Sequence, residues 1–332
     1  MKLTNCLRIT LFLVGLTLSC LSEAWTISEK PKWGFFAHRK INRLAVFTLP
    51  PEMIGFYKQH IQYLMEKAVN PDMRRYVNPL EAPRHYIDLD VYGDSALEVM
   101  PRYWKDAVAK YTEDTLNAYG IVPWHVNRVR YRLEEAFKEL NLDKVLRYSA
   151  DLGHYIGDSN VPLHTTENYN GQLTNQKGIH GFWESRLPEL FFEEYDFFVG
   201  KATYIENPQL RAWDAVTAAH LAMDSVLRFE KELTEKFPPS KKYSYEERGS
   251  STVRVYSYDF SKAYHNALDG MVEKRMRAAI KMVGDFWFTC WVNAGQPDLS
   301  LLKTQEEIEE EKLQVNDQIK VRNHESGEAG QP

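Results

Sequence analysis

One segment of the chain combines histidine and carboxylate side chains at helical spacing. It reads HYIGDSNVPLH and contains His154, Asp158 and His164. Because residues four apart lie on one face of a helix, His154 and Asp158 can converge on one ion. Pro162 takes the chain out of the helix, which allows His164 to turn toward a neighbouring ion. Imidazole and carboxylate ligands together are typical of Zn²⁺ sites.

A second segment, GIHGFWE, repeats this pairing with His180 and Glu184. A single pair of this kind is more often a salt bridge on a helix surface. Three upstream residues of ligand type favour a metal centre instead. His38 lies in the first predicted helix, and Asp72 and His85 lie in proline-rich connections, from which a side chain can be directed into a cleft.

The elements that must position these residues are predicted to be helices. The apolar periodicity favours helices over about 36–47, 51–69, 103–119, 123–140, 142–157, 180–195, 208–237 and 260–291. An all-α, multi-helix bundle follows, in a single domain over residues 25–300. Residues 238–252 are predicted to form a surface loop, and residues 301–332 a charged, disordered tail.

The composition supports one large core and excludes a disordered chain, since 44% of the 332 residues are hydrophobic and 26% are charged. The formal net charge of −5 gives no basic field of the kind that attracts nucleic acid. A nucleic-acid substrate is still compatible with this charge, because metal ions supply local positive charge for a phosphate.

The first 24 residues are typical of a secretory signal peptide. Lys2 and Arg8 precede the apolar stretch 11–21, and small residues precede a cleavage point that would leave Trp25 at the new N-terminus. The protein is therefore expected to be exported, to the periplasm or beyond, without a transmembrane segment. A lipoprotein attached through Cys20 is the alternative for this end of the chain.

These motifs together resemble the superfamily of zinc-dependent phospholipases C and single-strand-specific trinuclear zinc nucleases. The resemblance extends from Trp25 to about Trp291, although only the motifs are specific. It implies a helical bundle with three Zn²⁺ ions in a cleft, where a metal-activated water attacks a phosphodiester. In that superfamily an N-terminal tryptophan donates its α-amine and carbonyl oxygen to one zinc. Trp25 fits this role after cleavage, and Trp33 is the alternative because Trp33 to His38 has the closer spacing of the nucleases.

The resemblance also implies which residues hold each ion. The first ion would take Trp25, His38 and Asp158; the second would take Asp72, His85, His154 and the other oxygen of Asp158; the third would take His164, His180 and Glu184. Asp72 is further implied as a general base, and Arg75 as a contact to the phosphate.

The substrate expected first is a phospholipid, so that the activity would be phospholipase C-like. Glu184, Gly178 and the position of Trp25 are similar to that branch of the superfamily. Met73 and Ser28, however, stand where the choline pocket has an aromatic and an acidic residue. Such an enzyme would make transient contact with a membrane surface, and no obligate protein partner is evident.

The alternative substrate is single-stranded DNA or RNA. The spacing of Asp72 and Arg75 resembles the nuclease branch, and Tyr86 and Asp88 stand where that branch stacks on and hydrogen-bonds a base. A structural metal-binding protein without catalytic activity is the alternative from another functional class.

Overall fold

The computed structural model describes residues 35–249 and 251–310. The predicted signal peptide, Cys20, Trp25 and Trp33 lie outside these residues. Within the described residues the chain forms fourteen α-helices and one two-stranded sheet. The helices are α1 (Phe35–Ala45), α2 (Pro51–Gln59), α3 (Ile61–Lys67), α4 (Asn70–Arg74), α5 (Ala96–Val99), α6 (Trp104–Tyr111), α7 (Glu113–Tyr119), α8 (Val122–Lys138), α9 (Leu142–Ser159), α10 (Ile179–Gly181), α11 (Leu187–Phe191), α12 (Pro208–Lys236), α13 (Tyr258–Ala267) and α14 (Met271–Asn293).

The predicted helical character is confirmed, and the sheet is the main departure from an all-α fold. Strands β1 (Tyr243–Arg248) and β2 (Ser251–Tyr256) form a hairpin where the sequence predicts a loop. Residues 246–249 and 251–253, near the tip of this hairpin, belong to a separate unit from residues 35–245 and 254–310. Among the described residues no helix is both long and apolar enough to cross a membrane.

Several predicted helices are divided where the backbone leaves the helical region. The helix predicted over 51–69 is interrupted at His60, which separates α2 from α3. Thr112 separates α6 from α7 with a positive φ of 68°. The helix predicted over 260–291 is interrupted before α14 by Asp269 and Gly270, both with positive φ. A positive φ cannot continue a right-handed helix, so Thr112, Asp269 and Gly270 mark helix boundaries.

Helix α9 is the central element, because α1, α3, α8 and α14 all pack against it. Asn141 caps its start, with a side-chain oxygen that accepts a hydrogen bond from the backbone N–H of Lys144. The buried side chain of Asn42 on α1 donates to the carbonyl oxygens of Leu64, at 3.1 Å, and Ala150, at 3.2 Å. These bonds fix α1 to the middle of α3 and to α9.

Two glycines allow α1 to approach α9 closely. A Cβ atom at Gly153 would lie 1.9 Å from Oδ1 of Asn42, and one at Gly157 would lie 2.8 Å from Nδ1 of His38. Both distances are shorter than van der Waals contact. The glycine spacing therefore sets the position of His38 beside the last turns of α9.

The start of the segment predicted as a tail is held against the domain. The backbone of Lys303 accepts a hydrogen bond from Leu142 and donates one to Leu140, and the backbone N–H of Gln305 donates to the carboxylate of Asp143. Residues 311–332, the remainder of that segment, lie outside the described residues.

Candidate metal centre

The eight side chains predicted as metal ligands converge from six segments of the fold. His38 lies on α1, and Asp72 lies on α4. His85 follows a 3-10 helix over Pro79–Arg84, and His164 lies in another over Pro162–Thr165. The remaining four lie at the end of α9 and around α10: His154, Asp158, His180 and Glu184. Their nitrogen and oxygen atoms form three groups in which the potential ligand atoms all lie within 4.8 Å of one another.

The first group contains His38, His154 and Asp158. Oδ1 of Asp158 lies 3.4 Å from Nε2 of His38, and Oδ2 lies 3.2 Å from Nε2 of His154. The two imidazole rings are stacked with centroids 4.1 Å apart. All three side chains are buried. The resemblance assigns His154 to the second ion only, whereas the structure places it beside His38 as well.

The second group contains Asp72, His85 and His154. Oδ1 of Asp72 lies 3.7 Å from Nδ1 of His85 and 3.9 Å from Nε2 of His154. Oδ2 of Asp158 lies 2.9 Å from the same nitrogen of His85. Asp158 therefore faces both of these groups, one through each oxygen, which is the geometry that a bridging carboxylate requires.

The third group contains His164, His180 and Glu184, as the motif spacing predicts. Oε2 of Glu184 lies 2.8 Å from Nε2 of His180 and 3.5 Å from Nε2 of His164. Glu184 lies in a single π-helical turn, Phe182–Arg186, a feature that is common at functional sites. Its other oxygen lies 3.3 Å from Nε2 of His38, so the third group is in contact with the first.

Backbone carbonyls fix the orientation of three of the five imidazoles. The Nδ1–H group of His154 donates to the carbonyl oxygen of Ala68 at 2.8 Å. In the same way, His164 donates to His85 at 2.6 Å, and His180 donates to Tyr169 at 3.3 Å. When such a ring is neutral, the opposite nitrogen, Nε2, has a free lone pair that can bind a metal ion. This arrangement is characteristic of metal-binding histidines.

The donor set fits a divalent cation. Nε2 of His164 is buried and has no hydrogen-bond partner among the described residues, although a carboxylate oxygen lies nearby. Imidazole nitrogens and carboxylate oxygens in this number match the ligand preferences of Zn²⁺. Asp72 and His180 are the most accessible of the eight, with side chains 22% and 26% exposed, so solvent reaches the second and third groups through these residues.

Glu81 supports this centre and is absent from the sequence-based predictions. It is fully buried, and Oε1 lies 3.9 Å from Nε2 of His85. Glu81 also accepts hydrogen bonds from Arg74, Arg84 and the hydroxyl of Tyr155. It can therefore orient the His85 ring from behind. Its position four residues before His85 is the only sequence signal that points to it.

The buried charges of the centre shift the pKa values of its groups. Burial would lower the pKa of His38, but contacts with Asp158 and Glu184 raise it well above its ordinary value. Burial would also lower the pKa of His164, but the same two carboxylates raise it to about 9. Although burial would raise the pKa values of Asp158 and Glu184, the neighbouring histidines hold both well below their usual range. In the absence of metal, protons on His38 and His164 balance the ionised carboxylates.

The predicted substrate residues lie on the connection around His85. Arg75 is exposed, and its Nη1 lies 3.8 Å from Oδ1 of Asp72. Tyr86 is partly buried, and Asp88 is buried. Burial and the charges of Asp90 and Glu167 raise the pKa of Asp88 to about 7.

A comparison with models of known protein families finds no match, and no curated protein matches the chain either.

Proposed function

We propose that this protein is a zinc-dependent phosphodiester hydrolase of the phospholipase C type, with the fold of that superfamily. The observation that carries the proposal is the convergence of five imidazoles and three carboxylates into three adjoining groups. A salt bridge on a helix surface needs only one such pair. Several ligand groups that share a carboxylate are typical of hydrolases that clamp a phosphate between ions.

Zinc held by these groups would lower the pKa of a bound water toward neutrality and neutralise charge on the phosphate. The chain itself contributes the orientation of the ligands. Asp158 faces two groups through its two oxygens, and Glu81 supports the ring of His85. Burial of both carboxylates keeps solvent away from these contacts.

Asp72 and Arg75 are the groups that can act on the substrate directly. Asp72 is part of the second group and is partly exposed, so its carboxylate can accept a proton from a water beside the phosphate. Arg75 extends from the next turn with an exposed guanidinium 3.8 Å from Asp72. A guanidinium in this place can donate hydrogen bonds to phosphate oxygens as their charge increases.

A phospholipid substrate is supported by the connection between Asp72 and His85. This connection carries several exposed apolar side chains, with Tyr76 73%, Val77 84% and Leu80 72% exposed. Exposed apolar residues beside a site often mark contact with a membrane or another protein. Because the connection begins and ends at candidate ligands, contact with a membrane would bring a lipid headgroup to the metal centre.

Single-stranded nucleic acid is the second candidate, supported by a groove beside His180. The groove has a volume of about 440 Å³ and is lined by Tyr169, Tyr243, Lys177 and Arg254, among others. Aromatic rings with neighbouring cations suit the stacking of bases and the binding of a phosphate backbone.

The first test measures metal content and turnover together. Protein purified without chelator is expected to contain zinc, and to hydrolyse bis(p-nitrophenyl) phosphate together with phosphatidylcholine vesicles or single-stranded DNA or RNA. Chelation should abolish the activity and zinc should restore it. Cleavage that persists after chelation contradicts the proposal. Retained zinc with no cleavage of any of these compounds would instead indicate a structural metal-binding protein.

A second test separates the two substrate classes. Replacement of Val77 and Leu80 by serine should lower turnover of phosphatidylcholine vesicles about tenfold or more, because an exposed apolar side chain contributes roughly 1 kcal/mol or more when it enters the membrane interface. Hydrolysis of soluble bis(p-nitrophenyl) phosphate should remain unchanged. Phe198→Ser is the matched control, since Phe198 is 83% exposed on a connection without candidate ligands. Equal loss for both substrates, or none, contradicts the lipid assignment.

A further inference from the structure

A polar cavity is lined by Glu81 and by none of the eight candidate metal ligands. It has a volume of about 150 Å³ and is lined by residues of α8, α9 and the connection between Asp72 and His85. One water needs only about 10–15 Å³ of such space, so a small polyatomic ion and several waters fit.

The charge of this cavity is positive. Four arginines line it, Arg74, Arg84, Arg132 and Arg147, against the two carboxylates of Glu81 and Asp151. Arg74 donates to Asp151 at 3.0 and 3.1 Å, and Arg84 donates to Glu81 at 2.6 Å. Within each of these two pairs, the positive and the negative charge cancel. Arg132 and Arg147 are exposed and form no ion pair within 4 Å in the part of the chain that the structure describes, so the four arginines leave two positive charges beyond the two carboxylates.

The floor of the cavity supplies a further unused polar group. His125 on α8 is buried, with 2% of its surface exposed, and its Nδ1 has no hydrogen-bond partner among residues 35–249 and 251–310. Its ring packs edge-on against Tyr155, with centroids 4.5 Å apart. Burial and then the charge of Arg84 hold the pKa of His125 well below its ordinary value, so the ring is neutral and has one N–H to donate.

We propose that this cavity is a binding site for a tetrahedral oxyanion of the phosphate class, held by Arg132 and Arg147 at the mouth and by His125 at the floor. Arginine is suited to this because its planar guanidinium forms paired hydrogen bonds with phosphate oxygens. The unpaired guanidiniums and the unpaired imidazole nitrogen all gain a partner when the anion binds. The site takes either free phosphate or the phosphate of a monoester whose remainder extends into solvent.

The proposal does not depend on metal at the candidate metal centre. Glu81 forms the shared wall, and its carboxylate is already occupied by Arg74, Arg84 and Tyr155. An anion on the arginine side is therefore separated from the ligand groups by this ion-paired layer. Phosphate is then expected to bind at two places in the same molecule, the arginine-lined cavity and the candidate metal centre. The position of the bound phosphate distinguishes the two sites.

Crystals of the full-length protein soaked in inorganic phosphate, and separately in sn-glycerol 3-phosphate, test the site by position. Density for a tetrahedral group within hydrogen-bond distance of Arg132 and Arg147 is the expected result. Density with both compounds indicates that the site accepts a lipid headgroup, and density with phosphate alone indicates the free ion. An empty cavity with both compounds overturns the proposal, whether or not phosphate is seen at the metal centre.

Equilibrium dialysis with radiolabelled inorganic phosphate tests the site in solution. Arg132→Gln and Arg147→Gln should each weaken binding about tenfold, because each change removes a charge-assisted hydrogen bond to the phosphate. Both residues are exposed, so neither change should disturb folding. Arg43→Gln, an exposed arginine on α1, is the matched control for loss of charge. This binding should persist after chelation, whereas phosphate bound at metal should be lost. Equal affinity in all three variants overturns the proposal.

Discussion

Oδ2 of Asp158 lies 2.9 Å from Nδ1 of His85, a contact that joins residues 73 apart in the chain. The other oxygen of the same carboxylate lies 3.4 Å from Nε2 of His38. Asp158 therefore connects two of the three ligand groups. A change at this residue should affect more of the metal centre than a change at a residue that belongs to one group.

Asp158→Asn should lower the zinc content by about two of the three ions that the resemblance implies. Asparagine is neutral and offers one carbonyl oxygen, so it cannot bridge two cations. Phosphodiester hydrolysis should fall at least about a hundredfold. Zinc is measured by mass spectrometry of dialysed protein, and Asp224→Asn, at an exposed site on α12, is the control. Full zinc content in Asp158→Asn would show that the carboxylate does not bridge.

His180→Asn should remove one ion and leave the other two. His180 contacts Glu184 at 2.8 Å and belongs to the third group alone. Zinc content should therefore fall by about one equivalent, which is less zinc than Asp158→Asn should lose. His60→Gln, at a histidine between α2 and α3 that belongs to none of the groups, should retain all the zinc. The same loss in both site variants would contradict the division into groups.

The pairs of ligands on one helix could be predicted from the sequence because their geometry is local. His154 and Asp158 are four apart within α9, and four residues on a helix always bring side chains to one face. The role of Glu81 could not be predicted in this way. It depends on contacts with Arg74 and Tyr155, and the latter lies 74 residues away. Only the folded chain brings these together.

The hairpin of β1 and β2 was missed for a similar reason. Its sequence is rich in serine and charged residues, which indicates a loop when the segment is considered alone. In the fold, Tyr256 stacks on Phe182 with centroids 3.8 Å apart, and Tyr243 packs on Tyr256. The strand is stabilised by these aromatic contacts, because strand formation depends strongly on packing against neighbours.

Gly157→Ala should disturb the first group without removing a donor. The new Cβ would lie 2.8 Å from Nδ1 of His38, so the imidazole must shift away from Asp158. Zinc content and hydrolysis should both fall, the latter about tenfold or more, since displacement of a ligand by an ångström is costly. Gly55→Ala on α2 is the matched control: a Cβ there has nothing within 4 Å. It should leave zinc unchanged and stabilise α2 by up to about 1 kcal/mol. Unchanged zinc in both variants would contradict the packing argument.

The stability of the metal-free protein should fall as the pH rises. Because the folded-state pKa of His164 is raised to about 9, its contribution is fully present below its ordinary pKa of 6.5 and is lost as the pH passes through about 9. Metal binding needs the neutral ring, so stabilisation by zinc should grow over the same range. Melting temperatures with and without zinc, across this range, measure both effects. His164→Asn should flatten the metal-free curve. A zinc-induced shift that is independent of pH would contradict this explanation.

Asp88→Asn should stabilise the protein at high pH and have little effect at low pH. Burial, with the charges of Asp90 and Glu167, raises the pKa of Asp88 to about 7 in the folded state, above its ordinary value of 3.8. The folded protein therefore binds more protons than the unfolded chain between these values, and its stability falls as the pH rises through that window. Asparagine removes the ionisation, so the variant should gain on the order of 2 kcal/mol at about pH 8 relative to about pH 4.

Urea unfolding of metal-saturated protein at both pH values measures this difference, with the exposed Asp94→Asn as the matched control. If Asp88→Asn changes the free energy of unfolding equally at both pH values, the carboxylate does not ionise within this window.

The same variant tests the role of Asp88 in substrate binding, because a protonated carboxyl donates a hydrogen bond whereas a carboxylate only accepts one. The quantity to measure is the rate of single-stranded DNA cleavage divided by the rate of bis(p-nitrophenyl) phosphate hydrolysis. If Asp88 binds a base, this ratio should change across about pH 7 in the wild type and stay constant in Asp88→Asn.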